Sequence, residues 1–388
     1  MAIELSNLTF TNQDDIVPSS GVEEILNTGI VNTLAGNDKI TGTGYSLGIY
    51  NTGTFNTAEG NDIITGEAGV YGDGISNSGT FNTGEGNDTI TGTGGGGGIR
   101  SSGTFDTGEG DDIITTQSRR VGISSRGTFN TGDGNDEITS WGGYDGINLR
   151  DSIFDTGDGN DRIVGTSPML PSLVTTHGIS IYNSTFNTGD GNDTIEGSGI
   201  QGISNEGIID TGNGKDIITG NGKSYEGGGI FNFSTIDTGD DDDSIIASII
   251  VEVGFPNRAL ENFGSIETGN GDDIITSTGV IYNEGVINTG NGKDSIIADG
   301  GFDGSGNVFL GNGKDELKGF GSGEFSGGNG NDTLELTSGT YTVGRWYTAV
   351  TFTKGSSIMI ASEFEKLIAG STTYDFASLT KGQTITIA

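Results

Sequence analysis

The chain has 388 residues, with 53 acidic against 17 basic side chains, a formal net charge of −36, 74 glycines, four prolines and no cysteine. Such a charge repels phosphate backbones and anionic lipid, which argues against nucleic acid as a partner, and the missing cysteine removes disulfides, thiolate metal sites and thiol nucleophiles. Glycine without a Gly-X-Y phase excludes collagen, and no apolar run approaches the ~20 residues of a membrane helix, so no membrane insertion is expected.

Taken in order, residues 1–20 read as irregular, broken by Asp14, Asp15 and Pro18, and the start lacks the basic and apolar regions of a cleaved signal peptide. A repeat then takes over: Asn27-Thr28-Gly29-Ile30-Val31-Asn32-Thr33 is in phase with Asn51-Thr52-Gly53-Thr54-Phe55-Asn56-Thr57. Residues 1–26 are therefore expected to form an N-terminal cap and 27–336 an array. Its marker is a glycine loop ending in aspartate, as in Asn82-Thr83-Gly84-Glu85-Gly86-Asn87-Asp88-Thr89-Ile90. The loop aspartates are Asp38, Asp62, Asp88, Asp112, Asp136, Asp161, Asp193, Asp216, Asp243, Asp273, Asp294, Asp315 and Asp332, at intervals of 17 to 32 residues and mostly near 24. A fixed period of this length is the signature of a solenoid. The long intervals place surface insertions at Thr166 to His177 and at Ile249 to Asn257.

Three apolar rows keep phase with the aspartates: the residue two places on (Ile40, Ile64, Ile90 and so to Leu334), the row Phe55, Phe81, Phe105, Phe129, Phe154, Phe186, and the row Ile49, Ile75, Ile99, Ile123. The segments between glycine turns are rich in isoleucine, threonine and phenylalanine, which is strand composition. Stacked coils would bury these rows against their own copies, the arrangement of an all-β parallel β-solenoid. Asn51, Asn77, Asn205, Asn232, Asn262 and Asn283 read as a structural ladder capping a turn. After Leu336 the composition changes: residues 337–388 carry four basic and three acidic side chains and read as a small C-terminal β cap.

In such a stack the aspartates lie over one another. Two like charges ~4.8 Å apart repel by roughly 1 kcal/mol in water and ~3–4 kcal/mol at an effective dielectric of 20. Lys215, Lys293 and Lys314, each directly before a loop aspartate, are expected to neutralise it locally; elsewhere asparagine stands there, so a bound cation is expected. Carboxylates and loop carbonyls, with one histidine and no thiolate, suit Ca²⁺ rather than Zn²⁺. All thirteen aspartates are candidate ligands for multiple calcium ions.

Gly327-Gly328-Asn329-Gly330-Asn331-Asp332-Thr333-Leu334-Glu335 fits the nonapeptide G-G-x-G-x-D-x-U-x, and the array resembles the RTX, or hemolysin-type calcium-binding, repeat family. The resemblance implies a right-handed β-roll or β-helix, Ca²⁺ held between loops by aspartates and carbonyls, and type I secretion through an uncleaved signal within 337–388. Three features depart from the family. One loop occurs per coil of about 24 residues, Asp241 replaces a loop glycine, and Ala35 and Ala58 replace the first loop glycine of the first two coils.

The function expected is a secreted calcium-binding repeat protein that folds on Ca²⁺ and serves as a structural or adhesive element of the cell surface or extracellular matrix. Its partners would be calcium and either further copies of the chain or a cell-surface polysaccharide. Ice binding is an alternative, carried by the threonine rows Thr65, Thr91, Thr115, Thr139 and Thr54, Thr80, Thr104, Thr128; a polysaccharide-active enzyme on a solenoid face is another. His177, the one histidine, sits beside an insertion and reads as a surface residue, so no enzyme is expected.

Overall fold

The computed structural model describes residues 2–18, 23–168, 175–223, 227–250 and 257–388. The chain is all-β, a parallel β-solenoid, and no α-helix occurs among the described residues. It divides into two compact units, Met1–Asp210 and Thr211–Ala388. Half of the first insertion and most of the second lie outside the described residues, at 169–174 and 251–256.

In the first unit most coils contribute three strands, two of which run together in His177–Asn187 and in Gln201–Asp210. Thr80–Asn82, Thr89–Gly94 and Gly97–Ser101 make up one coil, and each pairs in parallel with its counterparts above and below. The register is that of the repeat: Ile90 stands between Ile64 and Ile114, Phe81 between Phe55 and Phe105, and Ile99 between Ile75 and Ile123. Alternation along Thr89–Gly94 turns Ile90 inward and leaves Thr89 and Thr91 outside. The phenylalanines from Phe55 to Phe186 form one column of stacked rings with centroids 4.7 to 5.0 Å apart, all fully buried.

The core is narrow, and glycine makes it so. A Cβ at Gly92 would stand 2.5 Å from the Gly98 carbonyl oxygen across the coil, and one at Gly66 would stand 2.3 Å from that of Gly74. The glycine preceding each inward isoleucine is therefore where two strands of one coil touch. The asparagines form a buried ladder: Asn27 donates to Asn51 and Asn51 to Asn77 at 2.8 Å, and in the second unit Asn232 donates to Asn262 and Asn262 to Asn283 at 2.8 Å.

The N-terminal segment departs from the sequence expectation. Ile3–Glu4 pairs in parallel with Ile25–Asn27, and Ile16–Val17 with Lys39–Gly44. These residues form a first coil in register with the array rather than an irregular cover.

In the second unit the coils shorten and then end. Ser357–Ser362 pairs in parallel with Gly323–Ser326, and Lys366–Ala369 with Thr333–Leu336, so residues after 337 lay two more parallel strands on the last coil. Antiparallel pairing then replaces stacking: Ala349–Lys354 with Ser357–Ser362, Gly339–Trp346 with Ala349–Lys354 and Thr384–Ile387, and Lys366–Ala369 with Thr372–Asp375. Buried Tyr341, Phe352, Phe364 and Phe376 fill this end.

Candidate metal centre

All thirteen loop aspartates point into the coil, each at most 2% exposed. Glycine lets the loop turn them inward. Gly84 and Gly86 have φ of +101° and +134°, and a Cβ at Gly86 would lie 2.0 Å from the Gly60 carbonyl oxygen of the coil below.

The carboxylates are rungs of a hydrogen-bonded ladder. Within each unit, Oδ1 of one rung accepts the backbone N–H of the aspartate one coil earlier. In the first unit Asp38 donates to Asp62, Asp62 to Asp88 and Asp88 to Asp112 at 2.7 Å, Asp112 to Asp136 and Asp136 to Asp161 at 2.8 Å, and Asp161 to Asp193 at 2.7 Å. In the second, Asp216 donates to Asp243 at 2.8 Å, Asp243 to Asp273 at 2.9 Å, Asp273 to Asp294 at 3.0 Å, Asp294 to Asp315 at 2.8 Å and Asp315 to Asp332 at 2.9 Å. The preceding residue makes the opposite bond. The Asn61 N–H donates to Asn37 Oδ1 at 2.8 Å and that of Asn87 to Asn61 Oδ1 at 2.9 Å. Successive loops are thus latched in both directions by two adjacent residues.

Two further rungs were not read from the sequence. The Asp15 N–H donates to Asp38 Oδ1 at 2.7 Å, and the Asp332 N–H donates to Glu365 Oε2 at 2.7 Å. A signal exists for both: Asp15 and Glu365 each have an apolar residue two places on, Val17 and Leu367, though neither follows a glycine loop.

The second oxygen of the rung is where the chemistry lies. Oδ2 of Asp38, Asp62, Asp88, Asp112, Asp136, Asp161, Asp243, Asp294, Asp315 and Asp332 is buried and has no hydrogen-bond partner. A threonine five residues earlier stands beside most of these groups, as Thr57 stands beside Asp62. In the first unit its single proton goes elsewhere: Thr57 Oγ1 donates to the Thr83 carbonyl at 2.9 Å and Thr83 Oγ1 to the Thr107 carbonyl at 2.9 Å. At Asp273 the hydroxyl has both partners in reach, with Thr268 Oγ1 2.7 Å from Oδ2 and 3.3 Å from the Thr289 carbonyl.

A buried anionic oxygen without a partner is costly. Burial first, with neighbouring carboxylates adding to it, raises Asp62, Asp88 and Asp294 to about 7, Asp136 and Asp243 to about 8, and Asp112, Asp161, Asp273 and Asp315 to about 6. Asp38 and Asp332 are raised for the same reason. The row therefore calls for a proton or a cation on Oδ2.

Lys293 and Lys314 are exposed on the loop surface. Lys215 Nζ pairs with exposed Asp242 at 2.5 Å, on the outside of the loop. The substituted glycine of the first coil is not Ala35: Leu34, at φ +71°, occupies that position, as Ala58 at φ +71° does in the second coil, and Asp241 takes φ +86° in its own. All three keep the left-handed backbone without glycine, so the loop path is preserved there.

The donor set fits calcium: hard oxygens, no thiolate, and repeated loop carbonyls. Among the described residues no three carboxylates or imidazoles converge on one point. Carboxylates of successive rungs, such as Asp88 and Asp112, together with loop carbonyls, are the groups that would hold an ion here. His177 is not near this edge; its Nδ1 lies 2.7 Å from Asp145 Oδ1 in the first unit.

No family model matches the chain, and neither does any curated protein sequence. Among solved structures it is similar to a hyperactive, Ca²⁺-dependent, β-helical antifreeze protein from an Antarctic bacterium, at 20% identity over 96% of either chain with a TM-score of 0.49.

Proposed function

We propose that this is an extracellular or cell-surface calcium-binding repeat protein of the RTX type, exported by type I secretion and serving a structural or adhesive role without catalysis. The observation that carries the calcium reading is the row of buried Oδ2 atoms without partners. Bound calcium would supply positive charge to that row. The chain's own residues do the rest: backbone N–H groups orient each carboxylate through Oδ1, glycine brings loop carbonyls alongside, and the isoleucine two residues on anchors the strand that sets the spacing. Unfolded, the aspartates are solvated and far apart, so ion binding and folding are one event.

Counting bound ions by equilibrium dialysis against about 1 mM Ca²⁺, in the range of extracellular modules, tests this. More than one ion per chain, with fewer on Asp88→Asn and Asp112→Asn, is expected; no bound ion would overturn it. Ice binding is a second reading. Thr41, Thr65, Thr91, Thr115 and Thr139 stand in register on the outer face of one parallel sheet, with Glu67 and Trp141 breaking the neighbouring row. Thermal hysteresis that disappears in Thr91→Tyr would favour it.

A further inference from the structure

The hairpin tip of the C-terminal cap carries aromatic rings that the fold does not use. Trp346 is 59% exposed and Tyr347 93%, and their rings meet edge to face at 5.9 Å. Tyr347 also has φ +55° in a two-residue turn between Gly339–Trp346 and Ala349–Lys354, a place that glycine or asparagine takes without strain. A side chain that adds strain to a turn and buries nothing is not explained by stability.

The tip stands beside a cleft of ≈ 200 Å³ lined by Phe309, Asn307, Glu324 and Ser362 as well as by Trp346 and Tyr347. Phe309 is itself 43% exposed. The register of three strands brings these residues together: Asn307 pairs with Glu324 and Glu324 with Ile360, while Ser326 pairs with Ser362. Ser326 Oγ already donates to Glu363. The Asn307 amide and the Glu324 carboxylate make no side-chain hydrogen bond or ion pair among the described residues, so both are available to a ligand.

We infer that this cleft binds a neutral pyranose ring of a polysaccharide, which deepens the adhesive reading above by naming its partner class. Aromatic faces pack against the axial C–H groups of a sugar ring, the amide and carboxylate take its hydroxyls, and the volume suits one ring rather than a folded partner. Charge decides between sugar classes. Glu324 and the net −36 of the chain repel a uronate or sulfate, so the ring is uncharged.

The test is titration of the full chain, in calcium, with cellohexaose, maltohexaose, hexa-N-acetylchitohexaose and a hyaluronan hexamer, read by calorimetry and tryptophan fluorescence. At least one neutral sugar binds, and Trp346→Ala and Tyr347→Asn each weaken it by roughly tenfold. Tyr347→Asn places a residue that tolerates left-handed backbone, so an unchanged circular dichroism spectrum excludes misfolding as the cause. Binding of none of the neutral sugars, binding indifferent to both substitutions, or preference for the hyaluronan hexamer overturns the inference. Repeating the titration in chelator separates it from the metal reading. A chain that folds and binds sugar equally without calcium overturns that reading and keeps the cleft, whereas one that folds only in calcium and binds no neutral sugar does the reverse.

Discussion

The coils of residues 27–210 and the cap of 337–388 are both built of short β-strands, yet they place like against like to opposite degrees. In the coils, parallel in-register stacking sets the inward residues on their own copies: Phe81 on Phe55, Asn51 on Asn27, Asp88 on Asp62. In the cap, antiparallel pairing sets unlike residues side by side, such as Val343 with Phe352 and Tyr341 with Ile385. Stacking multiplies whatever a residue does to itself, favourable for phenylalanine and asparagine, unfavourable for a carboxylate. The cap has only three carboxylates, Glu363, Glu365 and Asp375, and Glu365 serves as the last rung for Asp332. The array's row calls for a proton or a cation on each rung; the cap's own strand pairing makes no such row.

The two tryptophans, Trp141 in the coils and Trp346 in the cap, report on the two regions separately. The largest effect expected is that of pH on the calcium-free chain. Folded-state pKa values of about 6 to 8, against 3.8 for the unfolded aspartate, mean that the folded array binds more protons across that interval. Stability without calcium is therefore greatest below pH ~4 and falls as pH rises to ~8, with the Trp141 signal following it. Circular dichroism at pH 4 and 8 in chelator checks this, and more β-structure at pH 8 than at pH 4 would contradict it. Next in size is Phe105→Ala, which empties one place in the ring column and should cost about 3–5 kcal/mol by denaturant titration. Asp112→Ala should cost about 1–3 kcal/mol with calcium present, because the buried Asp88 N–H loses its acceptor. Asp112→Asn keeps an acceptor and removes a charge, so it should stabilise in chelator and destabilise in calcium. The same sign in both media would show that the row carries no ion. The smallest effect is that of Ala58→Gly, which relieves a left-handed alanine and should raise stability by about 1 kcal/mol or less.

What was legible in the sequence was whatever repeats in register. The aspartate period, the phenylalanine column and the asparagine ladder are stacking properties, and a fixed interval reports stacking directly. What was hidden depends on where a side chain points inside the glycine loop. Glycine conformations break the two-residue alternation there, so Asp88 and Lys215 give no sign from spacing that one faces inward and the other reaches outward to Asp242. The end rungs Asp15 and Glu365 were missed because their coils lack the glycines that mark the others. The N-terminal coil was missed for a related reason: Ile3–Glu4 and Ile16–Val17 are two-residue strands, too short to show a pattern of their own.

The central claim is that folding of the array and occupation of the aspartate row are one event. Far-UV circular dichroism of the full chain near neutral pH, first in excess chelator and then on adding calcium to about 1 mM, tests it most directly. A largely unfolded spectrum in chelator and a cooperative gain of β-structure on adding calcium are expected, with magnesium ineffective at the same concentration. A β-spectrum of full intensity in chelator, unchanged by calcium, would contradict it.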